Sequence, residues 1–189
     1  MKKRILFVCL GNICRSPAAE GIMRALVEEH GLDDEIYIDS AGIGSWHVGE
    51  QPDRRMRKHA AQRGYDLSPL RARQFRSDDF EKFDWIVVMD EENYQDVMAK
   101  APSKPFPPQG APTRSLSPSK GEALLSSNPT WSSHRKIAQV VRMKDYFNRF
   151  KGHDSVPDPY YGGSEGFELA LDMIEDGCKE MLKSLQQEV

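Results

Sequence analysis

Cysteine is scarce in this sequence, with 3 among 189 residues, too few for a chain stapled together by disulfides. Long apolar runs are missing as well, so no segment reads as a membrane span. Met1-Lys2-Lys3-Arg4 followed by Ile5 to Leu10 has the outline of a secretory leader. That apolar run ends after six residues in Gly11-Asn12, with no small-residue cleavage site behind it. It reads as a first strand, and the protein is expected in the cytoplasm. An excess of positive charge is also absent: 26 Lys and Arg stand against 29 Asp and Glu, a formal charge of −3. Neither a nucleic-acid partner nor a membrane surface is therefore expected. No His/Cys spacing fits a metal site, no internal repeat is visible, and neither metal nor cofactor is anticipated. The length fits one domain, 1–189, with a single substantial core.

What the sequence does have is one stretch dense in chemistry. Ile5 to Val8 is a compact run of strand formers, short enough for a buried strand of an α/β sheet. Ser16-Pro17 reads as a helix start, because proline is pre-set for the first turn, and Ala18 to Glu29 carries apolar residues near helical spacing. Cys9 to Ser16 is then a loop running from the carboxyl end of a strand to the amino end of a helix, where open α/β sheets bind ligands. A loop wound around a small anion aims its backbone N–H groups inward, with the helix end behind them. Gly11 and Asn12 suit the unusual backbone angles that such winding demands. Arg15 offers a planar fork matching two phosphoryl oxygens. Cys9, at the bottom of the bowl, faces the helix end, the guanidinium and the Ser16 hydroxyl, each of which favours thiolate over thiol.

Val8-Cys9-Leu10-Gly11-Asn12-Ile13-Cys14-Arg15-Ser16-Pro17 resembles the signature of the low-molecular-weight protein tyrosine phosphatases, and Asp158-Pro159-Tyr160-Tyr161-Gly162 resembles the family's second motif. The likeness covers about residues 1–102 and 134–186. It implies a three-layer α/β fold: a central four-stranded parallel sheet with helices on both faces and a phosphate-binding loop after strand 1. It also implies roles. Cys9 is the nucleophile, Arg15 and the loop from Leu10 to Cys14 with Ser16 bind phosphate, and Asp158 is the general acid and base. Ser40 would hold Asn12 in its strained conformation, and Asp90 would orient Arg15. The implied reaction is hydrolysis of aryl phosphate monoesters through a phosphocysteine intermediate. Its partner would be a tyrosine-phosphorylated protein, and the enzyme a monomer. By the same analogy, Cys14 would form a reversible disulfide with Cys9 under oxidation.

The rest of the chain reads compatibly. Ile36 to Ser40 is a second strand, leading into a glycine-rich loop that presents Trp46, either as packing or as an apolar wall for an aromatic ester. Pro52 to Gly64 reads as a helix whose Arg54, Arg55, Arg57 and Lys58 look like a solvated face. Leu70 stands where some family members carry a histidine supporting the asparagine. Asp84 to Val88 is a strand, and Asp90 suits the dipole of the helix that follows. Proline on each side of Asp158 stiffens its loop, and Tyr160 and Tyr161 would frame the entrance with Trp46 and Ile13. A last strand is expected near Val140 to Met143, and a closing amphipathic helix from Glu165 to Leu185 with Cys178 on its apolar face. Between 103 and 133 lie six of the chain's 12 prolines and eight serines, which points to a flexible insertion. Two other readings stay open: an arsenate reductase, which needs further resolving cysteines, and a non-catalytic phosphotyrosine-binding module.

Overall fold

Short runs of β-branched and aromatic residues supply the sheet. The computed structural model describes residues 2–102 and 137–187. Four strands, β1 (Lys3–Cys9), β2 (Ile36–Gly42), β3 (Trp85–Val88) and β4 (Gln139–Arg142), pair entirely in parallel in the order β2-β1-β3-β4. Five helices accompany them: α1 (Arg15–Glu29), α2 (Arg54–Gln62), α3 (Asp79–Lys82), α4 (Glu91–Ala99) and α5 (Ser164–Gln187).

Side chains alternate across the sheet, and each face buries its own core. Ile5, Phe7 and Cys9 of β1 join Trp85 and Val87 of β3 against α1, α2 and α5. Leu6, Val8, Ile86 and Val88 face the other way, against Phe75, Phe80 and Val97. This is the expected three-layer architecture. From β1 the chain steps outward to β2, then returns to place β3 on the opposite side of β1. That reversal makes the carboxyl end of β1 a topological switch point, where a crevice opens between diverging connections. Register then aligns the strand ends, setting Cys9 beside Gly42 and Val8 beside Val88. The loops that follow β1, β2 and β3 leave from one edge.

Several boundaries differ from the sequence expectation, each for a local reason. β2 runs on to Gly42 because its last residues still pair with β1. α1 begins at Arg15, and Cys14 occupies the cap position without a side-chain cap, so Ser16 is not the capping residue and its hydroxyl serves elsewhere. Pro52 lies ahead of α2; Asp53 is the cap, its carboxylate accepting from the N–H groups of Arg55 and Met56. The four-residue α3 and a 3-10 turn at Met143–Tyr146 are too short to carry a periodic signal. The closing helix matches closely, and Cys178 is fully buried within it. The expected insertion at 103–133 lies outside the described residues. No described helix is long and apolar enough to cross a membrane.

Candidate active site

The loop after β1 is held by its outward carbonyls. Those of Cys9 and Leu10 accept from Ile43 and Gly44, that of Ile13 from Asp53 and that of Cys14 from Ala18, at 2.7 to 3.2 Å. By contrast, the N–H groups of Gly11 to Cys14 have no acceptor among the described residues. Buried donors without partners cost free energy, and a curved run of them is what an oxyanion satisfies. Of the two residues the sequence marks for unusual angles, only Asn12 takes one, with φ +56°. Gly11 stays outside that region. Its small size matters because the His47 ring lies over it, 3.1 Å from where a Cβ would stand.

The strained Asn12 is secured by its own side chain. Its Nδ2 donates to Ser16 Oγ at 2.9 Å and to Ser40 Oγ at 2.8 Å, while Oδ1 accepts the Arg73 N–H at 2.9 Å. Both amide hydrogens and the amide oxygen are thus engaged without a histidine. Leu70 packs in the core instead, and the backbone of the segment beside Gly42 does the holding. The Ser40 hydroxyl in turn donates a hydrogen bond to Glu20 Oε2 at 2.5 Å. Glu20 is missing from the sequence expectation. It is buried on α1 with Arg24 as its counter-ion at 2.5 Å, and burial pushes its carboxyl up, opposed by Ser40 and Arg24. Beneath the loop, an added Cβ at Gly42 would sit 2.8 Å from the Gly11 carbonyl carbon and 3.0 Å from Asn12 N. Gly42→Ala is therefore expected to displace the loop and lower kcat/KM by about 10²-fold, with thermal unfolding showing the fold retained.

Three charged groups and a thiol converge on this loop. Cys9 is buried, its Sγ 3.0 Å from Ser16 Oγ. The Arg15 guanidinium is buried too, with Nη1 bound to Asp90 Oδ2 and, at 3.2 Å, to the Val156 carbonyl; Nη2 donates to Asp158 Oδ2 at 3.0 Å. Burial opposes its charge, but Cys9, Asp158 and Asp90 outweigh that and hold it more firmly protonated than a free guanidinium. Asp90 makes two contacts at once: its Oδ1 caps α4 by accepting the Asn93 N–H at 2.7 Å, and its Oδ2 pairs with Arg15 Nη1. Asp158 is fixed by a local turn, Oδ1 accepting the Tyr160 N–H at 3.0 Å. Burial first, then Asp53 and Cys9, push the Cys14 thiol up, so thiolate is disfavoured there.

A cavity of about 350 Å³ opens above this cluster, reaching Cys9, Ile13, Arg15 and Asp158, with Trp46 and Tyr160 at its walls. Trp46 is 62% exposed, which excludes core packing, and its ring is folded over Gly44, where a Cβ would lie 2.0 Å from a ring carbon. Tyr160 and Tyr161 meet edge to face at 5.0 Å, with Tyr161 at the outer lip, 94% exposed. His47 also lines the cavity, its Nδ1 2.7 Å from Glu50; nothing in the sequence marks it beyond its place after Trp46. No group of three or more His, Cys, Asp or Glu suited to a metal ion occurs among the described residues. Positive charge around the cradle comes from Arg15 and backbone N–H groups.

The chain matches the model of the family described as low molecular weight phosphotyrosine protein phosphatase over residues 4–105 and 124–189. It is 42% identical over 186 residues to the protein slr0328 of Synechocystis sp., with 98% of each chain covered. It is 37% identical over 184 residues to the low molecular weight protein-tyrosine-phosphatase YfkJ of Bacillus subtilis, covering 97% of this chain and 96% of that one. Among solved structures, a protein tyrosine phosphatase from Entamoeba histolytica with Hepes in its active site superposes with a TM-score of 0.77, at 35% identity and 99% coverage of both chains. Matched end to end in sequence and backbone, this chain belongs to the low molecular weight phosphotyrosine protein phosphatase family.

Proposed function

We propose that Cys9 is the nucleophile and Asp158 the general acid and base in the hydrolysis of aryl phosphate monoesters, phosphotyrosine above all. One observation carries the assignment: a buried thiol, a buried guanidinium and a carboxylate from far apart in the sequence share one cavity with a loop of unpartnered N–H donors. The phosphoryl group replaces Asp158 on Arg15 Nη2 and takes the loop N–H groups on its equatorial oxygens. Ser16 Oγ accepts from Asn12, which leaves its O–H to donate a hydrogen bond to the Cys9 sulfur. The S–P bond forms as the P–O bond to the ring breaks. Protonated Asp158 gives its proton to the departing phenolate. Asp158, now a carboxylate, takes a proton from the water that attacks phosphorus, and the S–P bond breaks to return the thiolate and release phosphate. The flat apolar walls at Trp46 and Tyr160 suit an aryl ring.

Redox use by arsenate reduction fits less well. Besides Cys9 and Cys14, the chain's remaining thiol is Cys178, buried in the core with its Sγ against the Ala19 carbonyl at 3.8 Å. The non-catalytic reading would leave both the thiol and the carboxylate without a task. A thiol nucleophile suits a reducing compartment, so the reading places a monomeric enzyme in the cytoplasm, acting on tyrosine-phosphorylated protein. Turnover of p-nitrophenyl phosphate and of matched phosphotyrosine and phosphoserine peptides tests it. The phosphotyrosine peptide is expected to exceed the phosphoserine peptide in kcat/KM by at least about 10²-fold. Equal turnover, or arsenate-dependent oxidation of reduced thioredoxin in its place, would overturn it.

A further inference from the structure

The basic run on α2 is only partly neutralised. Arg55 forks onto Asp53 at 3.0 and 3.2 Å, and Arg57 Nε donates to the Pro52 carbonyl at 3.0 Å. Arg54 and Lys58 are exposed and have no carboxylate partner among the described residues. Lys58 does not face open solvent alone. It lines a second cavity, of about 420 Å³, with Arg55, His59 and the turn Gly162-Gly163-Ser164. Glu168 is the one acid in that wall, and it is already bound by His59 and by the Arg63 guanidinium. The first residue of α5, Ser164, is part of the lining, so the positive end of a 24-residue helix adds to the field.

This second cavity adjoins the catalytic one through a single side chain. Tyr160 walls the catalytic cavity, and the Arg55 guanidinium, which lines the second cavity, lies 5.4 Å from the Tyr160 ring centroid. A polypeptide whose phosphotyrosine enters the first cavity advances roughly 3.3 Å per residue when extended. A side chain two to four positions along therefore reaches roughly 7 to 13 Å from the phosphotyrosine. We infer that the cavity between α2 and the start of α5 is a subsite for an acidic side chain, Asp or Glu, flanking the phosphotyrosine on the same substrate polypeptide. Lys58 provides the point charge and Arg55 closes the subsite on the Tyr160 side. The inference rests on the phosphatase reading above and adds to it a preference in sequence context.

The test uses the full chain with two phosphotyrosine peptides that differ only in having glutamate or glutamine at the flanking positions, and with p-nitrophenyl phosphate, which has no flank. The parent is expected to favour the glutamate peptide by about fivefold in kcat/KM at low salt, the preference shrinking as salt screens it. In Lys58→Glu and in Lys58→Gln that ratio is expected to fall to about one or below. Lys179→Glu, a charge reversal lining a different cavity on α5, is expected to keep the parent's ratio, which separates a local subsite from net charge. Equal turnover of the two peptides by the parent, or an undiminished ratio in Lys58→Glu, would overturn the subsite. Failure of the parent to hydrolyse p-nitrophenyl phosphate would instead overturn the phosphatase reading.

Discussion

Replacing Cys9 by serine is expected to lower turnover of p-nitrophenyl phosphate by at least about 10⁴-fold, while a phosphotyrosine peptide still binds within a few-fold of the parent. The asymmetry follows from what each group contributes. Arg15, the loop N–H groups and the anchored Asn12 remain in place, because none of their hydrogen bonds passes through the sulfur. A serine hydroxyl is a far weaker acid than a thiol and must lose its proton to attack. It also has no base to remove that proton, since the nearest neighbour, Ser16 Oγ, is itself a hydroxyl fed by Asn12. Steady-state kinetics alongside peptide titration separates lost chemistry from a lost pocket. Turnover within tenfold of the parent would exclude Cys9 as the attacking atom.

The second large effect is predicted at Asp158, and its size is expected to depend on the ester. With phenyl phosphate, whose leaving phenol resembles the tyrosine ring in having a pKa near about 10, Asp158→Asn is expected to reduce kcat by about 10²- to 10³-fold. With a dinitrophenyl ester, whose phenolate departs without a proton, the first step should lose far less. A purely structural role would lower both equally, so the ratio between esters is the diagnostic quantity. The ion pair supplies a further readout. Asp158 Oδ2 sits on Arg15 Nη2 at 3.0 Å, and an incoming oxyanion must displace it. Asparagine at that position leaves the guanidinium less occupied. Inorganic phosphate is therefore expected to inhibit the variant several-fold more strongly than the parent, an effect measurable by competition at constant ionic strength.

The parts of this site that could be read from the sequence are those whose geometry is local. Cys9, Asn12, Arg15 and Ser16 belong to one strand-loop-helix passage, and eight consecutive positions place them together whatever the remaining fold does. The roles of Asp158 and Asp90 come from the family resemblance; local sequence offers only a proline-stiffened loop for the first and a charge suited to a helix start for the second. The hidden parts depend on tertiary register. Glu20 lies one turn beyond Ser16 on α1, yet its value to Asn12 comes from Ser40, which only the pairing of β1 with β2 brings alongside. The Arg73 N–H and the Val156 carbonyl act through backbone, which no residue type announces. Ser16-Pro17 marks the helix start to within a residue, α1 opening at Arg15, and the Ser16 hydroxyl faces Cys9. Boundaries move for differing local reasons: β2 runs on because Gly42 still pairs with β1, while α2 starts after the Asp53 cap.

Backbone anchoring of the phosphate loop has a consequence for inhibitor design. Ile43, Gly44 and Asp53 clamp its carbonyls from other parts of the fold, and Ala18 in the first turn of α1 holds that of Cys14, so the head-group receptor is shaped before any ligand arrives. Compounds sharing a tetrahedral or vanadate-like warhead should therefore meet nearly the same receptor, and their warheads should contribute little discrimination among enzymes built this way. Selectivity has to be sought at the rim instead, where Trp46, His47 and Tyr160 present side chains to the body of the molecule.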